Sequence, residues 1–324
     1  MYTLVEFQKL INDSITNEQI EKEPQELYDP INYTLKSGGK RIRPALVLLA
    51  CNLFSDDIKK AIRPAIGLEI FHNFTLLHDD IMDKAEIRRG VPAVHKKWNE
   101  NTAILSGDAM LIKAYDYFFD IDSPRFREIL QVFNQTALEV CEGQQYDMEF
   151  ENRDDVTENE YLRMIELKTS VLLAGALKIG ALLGDADIKD ANLLYDYGRN
   201  IGMAFQLQDD LLDVYGDEKV FGKQIGGDIV ANKKTFLLIK AKELADNDIL
   251  NALNSWFQMK PENKNEKVDA VTEIYNALNL KEITQEKILR LTQKALDLLD
   301  QVNVENDKKI ELKNLAGKLI NRNF

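Results

Sequence analysis

Apolar residues return every three or four positions through almost every long segment of this chain, with Leu, Ile, Ala, Lys and Glu supplying most of the pattern. That is the period of an α-helix, and the two-residue alternation and turn signals of β-hairpins are nearly absent. The pattern predicts an amphipathic opening pair at 3–18 and 25–36, ended by SGGK. A helix at 43–54 follows, with Pro44 suited to its first turn and SDD at its end. A long apolar helix over about 59–84 stops before RRGVP, and further helices are expected at 99–119, 125–151, 158–183, 188–215 and 232–246. Thr157 and Glu160 read as a capping box for the helix that begins at 158. From about 247 onward the chain is more polar, yet EITQEKILRLTQKALDLLDQV keeps the helical period. No repeat and no Ser/Pro/Gly-rich linker divides the sequence, so one large all-α domain over 1–324 is expected, with peripheral helices at about 1–36 and 247–324.

Composition narrows the partners. The chain has 324 residues, 45% of them apolar, enough for a large core. A net charge of −13 argues against nucleic acid or an anionic membrane surface as the main partner. An acidic protein binds an anion only through local Lys/Arg clusters or bound cations. Cys51 and Cys141 are far apart and lack CxxC spacing, which indicates neither a disulfide framework nor a thiolate zinc site. There is no signal-like N-terminus and no run of 18 apolar residues, so a reduced, cytoplasmic protein without a transmembrane segment is expected.

The chemistry concentrates in LLHDDIMDKAEIRRG, residues 76–90. Residues four apart on a helix lie roughly 40° apart around its axis, so Asp79 and Asp83 share a face with Asp80 beside them. Carboxylates so close repel one another, and a hard divalent cation between them removes the conflict. Oxygen-only ligands fit Mg²⁺ better than zinc. A solvated acidic helix end accounts for one such cluster equally well. A second copy of the spacing, Asp209, Asp210 and Asp213, weighs against that bland reading, because it too lies in an apolar helical run. Basic residues accompany both clusters: Lys40, Arg41 and Arg43 in GGKRIRP, Arg88 and Arg89 after the first, Lys223, Lys233 and Lys234 after the second. Each alone also reads as a surface charge. Together with the acids they suit a phosphorylated substrate held by Mg²⁺.

In these motifs the chain resembles the trans-isoprenyl diphosphate synthase family, the polyprenyl synthetases. GGKRIRP, ExxH, LLHDDIMD, RRG, GD, GQxxD, KT, FQLQDDLLD, GK and NKKT occur in family order over roughly residues 38–240. The resemblance implies a helical bundle of the isoprenoid synthase type around a central active-site cavity. It implies that Asp79, Asp80, Asp83, Asp209 and Asp213 bind three Mg²⁺ that grip an allylic diphosphate, with Asp210 supporting. Arg88, Lys168, Lys223 and Lys233 match residues that contact that diphosphate, and Lys40, Arg43, His72 and Arg89 match the pocket for isopentenyl diphosphate. Gln144, Asp147, Thr169 and Gln206 match positions lining the site, and the same four also read as buried polar groups tying helices together. Asn232 stands where many members have Gly before KxT. A homodimer is implied as well.

The expected reaction is head-to-tail condensation of isopentenyl diphosphate with dimethylallyl, geranyl or farnesyl diphosphate. Diphosphate leaves an allylic carbon, cations neutralise the growing negative charge, and the carbocation is stabilised by carbonyls or hydroxyls of Lys168, Thr169 and Gln206. Phe74, five residues before Asp79, is about 7.5 Å down the helix, with Phe71 a turn below and Thr75 above. An aromatic there without an insertion in the first motif is similar to synthases making the C20 product, whereas a second aromatic at position 75 would favour C15. Phe74 as a plain core residue, with other helices setting the length, stays open, so a C20 or C15 product is expected, with a longer-chain product as the alternative. A terpene cyclase would carry a different second metal motif and have no use for GGKRIRP. A non-catalytic regulatory subunit would lack some of these acids or bases.

Overall fold

The helical period is realised throughout the described part of the protein, in a computed structural model that describes residues 2–18, 20–216, 225–259 and 264–320. In order these are α1 (Leu4–Asn17), α2 (Gln25–Lys36), α3 (Ile42–Phe54), α4 (Lys59–Met82), a short antiparallel pair β1 (Ile87–Arg88) and β2 (Val91–Pro92), α5 (Val94–Lys97) and α6 (Glu100–Phe119). Then come α7 (Phe126–Glu151), α8 (Glu158–Ile165), a π turn (Glu166–Ser170), α9 (Val171–Leu183) and α10 (Ile188–Tyr215). The remainder is α11 (Gly227–Val230), α12 (Phe236–Leu244), α13 (Asn247–Gln258), α14 (Lys264–Ala277), α15 (Leu280–Asp300) and α16 (Ile310–Ile320).

Caps explain the boundaries. Thr157 and Glu160 form the expected capping box, and Thr3 with Glu6 forms another at α1. Three expectations need correcting. The helix expected at 232–246 starts only at Phe236, because Asn232 is left-handed (φ 58°) and Thr235 caps the first turn by accepting from the Leu238 amide. The helix expected to reach 84 ends at Met82, since Lys84 is left-handed (φ 52°) and RRGVP folds into the β1–β2 pair. The helix expected unbroken over 158–183 contains the π turn.

The chain forms two compact units. One comprises Met1–Ala137, Gly175–Tyr195 and Asn303–Glu311, the other Leu138–Ala174, Asp196–Val302 and Leu312–Phe324. In the first, α3 is buried almost all round, with Leu46, Val47, Leu48 and Leu49 at 0–1% exposure. Phe133 stacks on Phe118 (4.2 Å between ring centres) and meets Phe71 edge-on, so α4, α6 and the start of α7 share an aromatic core. Gly67 lets α4 close on α6, since a Cβ there would lie 2.9 Å from the Ala114 carbonyl oxygen. In the second unit, Phe150, Tyr161, Leu207, Leu211, Phe236, Leu253, Tyr275 and Ile288 form the buried cluster.

At Gly180 in the first core an added Cβ would stand 2.2 Å from the Val47 carbonyl oxygen, a backbone atom that cannot turn aside. Gly180→Ala should therefore lower unfolding stability by about 1–3 kcal/mol, the usual cost of overpacking, read from the urea midpoint.

Candidate active site

In the first unit Asp79 and Asp80 lie in the last turn of α4 and Asp83 caps it. The carbonyl end of a helix is already partly negative, so this placement adds to the repulsion among the carboxylates and calls for cations. One cation is built in. Asp80 is buried, and its Oδ1 accepts from Arg88 Nε (2.8 Å) and from Nη2, while Asp79 Oδ2 stands 3.7 Å from Nη2. Burial works against the Arg88 charge, but the Asp80 bond and the charges of Asp79 and Asp83 outweigh it, leaving the guanidinium more firmly protonated than usual. Asp79 is half-buried and Asp83 exposed.

The β1–β2 turn sends the next arginine elsewhere. Arg89 is left-handed (φ 53°), and its Nη1 donates to Asn73 Oδ1 (3.0 Å) and to the Gly38 carbonyl. Gly39 (φ 138°) gives the guanidinium room, since a Cβ there would lie 3.0 Å from Arg89 Cζ. Arg41, which the sequence groups with Lys40 and Arg43, turns inward instead. It is buried, with Nη1 2.6 Å from Glu69 Oε1 and Nη2 2.6 Å from the Leu35 carbonyl. Glu69 also accepts from Asn73 Nδ2 (3.1 Å), so one buried carboxylate ties Arg41 to the residue that holds Arg89.

Arg43 Nη1 lies 3.1 Å from His72 Nε2. A guanidinium only donates, so Nε2 carries the lone pair and the imidazole proton is on Nδ1. Burial, then the charges of Arg43, Arg89, Arg88 and Arg41, push the His72 pKa well below its ordinary value, so the ring is neutral. Arg43 Nε is buried without a hydrogen-bond partner. A basic pocket with an unsatisfied guanidinium nitrogen fits an anion. Lys40 is exposed, and its carbonyl accepts from Gln8. Phe74 is buried between Phe71 and the His78 ring (5.7 and 4.8 Å between ring centres), and Thr75 Oγ1 donates back to the His72 carbonyl.

In the second unit the chemistry gathers around the π turn. An i→i+5 turn holds one residue more than an α turn, and here the Val171 amide bonds the Glu166 carbonyl. Lys168 and Thr169 sit within it. Two glycines admit it: a Cβ on Gly143 would lie 2.3 Å from the Lys168 amide nitrogen, and one on Gly202 2.6 Å from Ser170 Cα. Lys168 Nζ meets Asp147 Oδ2 at 2.5 Å, and Gln144 lies half-buried one turn earlier on α7. Thr169 donates to Gln206 Oε1 (3.2 Å), Gln206 Nε2 to Asp210 Oδ1 (3.2 Å), and the Tyr161 hydroxyl to Asp210 Oδ2. Asp210 is buried, which raises its pKa to about 7 against the opposing Tyr161 bond.

Asp209, Asp210 and Asp213 occupy the last two turns of α10, again the carbonyl end. Asp209 and Asp213 are half-buried. Asp213 Oδ2 accepts from the Asp228 amide (2.9 Å) and its carbonyl from Gly226 (2.6 Å), which anchors the segment leading to Lys233. Lys233 is exposed, and Lys234 turns to Asp154 (3.3 Å). Lys223 lies outside the described residues.

Among the described residues no three Asp, Glu, His or Cys side chains converge on one point. Mg²⁺ does not need them to, because it keeps waters and takes phosphate oxygens beside one or two carboxylates. Sequence reasoning reached Glu69 only as the first letter of ExxH and missed Asn73, Tyr161 and Asp228. Their roles arise from packing, which no local pattern announces.

The family model described as "Polyprenyl synthetase" matches residues 24–276. The chain is 47% identical over 222 residues to a geranylgeranyl diphosphate synthase of Methanosarcina mazei, covering 68% of each. It is 34% identical to a geranylfarnesyl diphosphate synthase of Natronomonas pharaonis, over 99% of this chain and 97% of that one. A crystal structure of a geranylgeranyl pyrophosphate synthase, 46% identical, superposes with a TM-score of 0.94 over 100% of both chains.

Two outcomes follow from the arginine network. Glu69→Ala leaves the buried Arg41 charge unpaired and should cost about 3–5 kcal/mol of stability in chemical denaturation. Because the folded pKa of His72 is depressed, the unfolded chain takes up a proton first as pH falls. The stability that neutral His72 allows is thus complete above about pH 6.5 and is lost below it. His72→Gln should lose less stability than the parent between about pH 7 and 5, in parallel urea melts.

Proposed function

The chain belongs to the polyprenyl synthetase family and is a trans-prenyltransferase, and we propose that it condenses isopentenyl diphosphate head-to-tail with an allylic diphosphate. The observation that carries this reading is the first unit's pairing of carboxylates at the end of α4 with Arg88 against them and Arg43 and Arg89 beside neutral His72. Such a segment handles a metal-bound phosphate and a second anion with separate groups.

Asp79, Asp80, Asp83, Asp209 and Asp213 would hold Mg²⁺, three ions in all. When bound, the ions neutralise charge on the departing diphosphate. With Oδ1 given to Arg88, Asp80 has Oδ2 to offer a cation. Arg88, Lys168, Lys223 and Lys233 donate to the allylic diphosphate as the C–O bond breaks. Lys40, Arg43, His72 and Arg89 bind the diphosphate of isopentenyl diphosphate, His72 donating through Nδ1. The double bond of isopentenyl diphosphate attacks the allylic cation, and a proton leaves to the released diphosphate. Thr169 and Gln206, fixed by their mutual bond and by Asp210, place oxygens that favour the positive carbon, supported by Asp147 against Lys168 and by Gln144 one turn before Asp147 on α7.

Product length follows from Phe74. Its ring, held by Phe71 and His78, is the floor we assign below the first aspartates, which favours the C20 product over C15 because Thr75 adds no second aromatic. The two compact units are read as one polyprenyl synthetase domain, supported by a family match that runs through both. A homodimer is supported by Leu105, Ile112 and Phe119, exposed at 60, 66 and 62% and spaced by seven on α6. Among the described residues no helix is long and apolar enough to cross a membrane, and we place the enzyme in the cytoplasm.

Incubation with Mg²⁺, isopentenyl diphosphate and C5, C10 or C15 primers should yield trans-prenyl diphosphates ending at C20. Absence of product with every primer would sink the proposal. Phe74→Ala should lengthen the product on mass analysis, and an unchanged distribution would remove Phe74 as the floor.

A further inference from the structure

Lys267 in α14 is buried (3% exposed), an uncommon place for an ammonium group. Its Nζ donates to Asn232 Oδ1 and stands 4.7 Å from the centre of the Phe257 ring. Asn232 uses the other end of its amide on the same helix end, Nδ2 donating to the Phe257 carbonyl (3.2 Å) in the last turn of α13. That carbonyl is among those a helix leaves without an intrahelical partner. The amide orientation is chemically determined, since an ammonium only donates and a carbonyl only accepts. Asn232 also has φ 58°, a conformation favouring Gly or Asn, and of the two only Asn can receive the lysine.

The residue after Asn232 is Lys233, whose amide bonds the Asp228 carbonyl (2.9 Å). The Asp228 amide in turn bonds Asp213 Oδ2. The other end of this segment meets α14 as well: Gly226 is left-handed (φ 77°), and a Cβ there would lie 2.5 Å from Val268. Adjacent residues of α14 therefore meet both ends of residues 226–232, while Asp213 bonds the amides of Gly226 and Asp228.

We propose that Lys267 is a positioning residue for diphosphate capture: through Asn232 it fixes the backbone from which Lys233 projects and the Asp228 contact that orients Asp213. This rests on the prenyl-transfer reading. Lys267 touches no substrate in it. Burying the ammonium lowers its pKa, a cost that a residue acting only as packing would avoid.

The test compares the parent with Lys267→Met, which keeps the stem over Phe257 but cannot donate, and with Asn232→Gly, which keeps the left-handed backbone but removes the acceptor. Both should weaken binding of inorganic diphosphate with Mg²⁺, read by calorimetry, and raise the allylic KM, each by about ten-fold. KM for isopentenyl diphosphate should stay within about two-fold, since its assigned residues lie elsewhere. The double variant should be no worse than either single one, because both remove the same bond. Lower melting temperatures with unchanged diphosphate affinity and allylic KM would overturn the proposal by showing a structural role only. If Lys267→Met does not fold, Asn232→Gly decides alone. An inactive parent that still binds diphosphate more tightly than the variants would refute the reaction and leave the positioning role standing.

Discussion

Each aspartate cluster depends on what happens to its second member. Asp80 and Asp210 are both 4% exposed, and both are tied down by groups of their own unit: Asp80 by Arg88, Asp210 by Tyr161 and Gln206. An ionised carboxylate at the carbonyl end of a buried helix would otherwise shed its charge or turn to solvent. Anchoring the middle carboxylate fixes the helix end and therefore the directions of the first and last. In each cluster the middle acid is thus the one held in place, and its neighbours take their directions from the helix end it fixes.

The basic side shows the same division of labour. Of the cations in GGKRIRP, Arg41 is spent on Glu69, and through Asn73 that pairing determines where Arg89 points. Arg43 leans on a histidine that burial and surrounding charge keep neutral, so the pair carries one positive charge and not two. A protonated His72 there would add repulsion and turn the Nε2 acceptor that meets Arg43 into a second donor. Guanidinium groups gathered this densely repel one another, and the diphosphate proposed to bind among them would relieve that repulsion.

Most of the architecture was legible because helices announce themselves by period and cap, and Thr157 with Glu160 marked its boundary correctly. The acids and bases were legible because like charge in an apolar run has few explanations. What was not legible has a common cause in contacts distant along the chain. Nothing local distinguishes Arg41, turned inward, from Arg43 two residues on. Tyr161 and Asn73 look like ordinary helix residues until their partners 49 and 16 positions away are known. Asn232 was noticed only as a departure from Gly, and its backbone angle supplies the reason for the exchange.

The π turn at Glu166–Ser170 carries one residue beyond the α period, so everything from Val171 onward is rotated by about 100° relative to an uninterrupted helix. The apolar faces of α8 and α9 are therefore written in two different phases. Any single deletion between them would restore a regular helix and at the same time misalign one half with its neighbours, whatever residue was removed. In this stretch the number of residues is itself a specification, separate from their identities, and Gly143 and Gly202 are the gauge on either side that reads it.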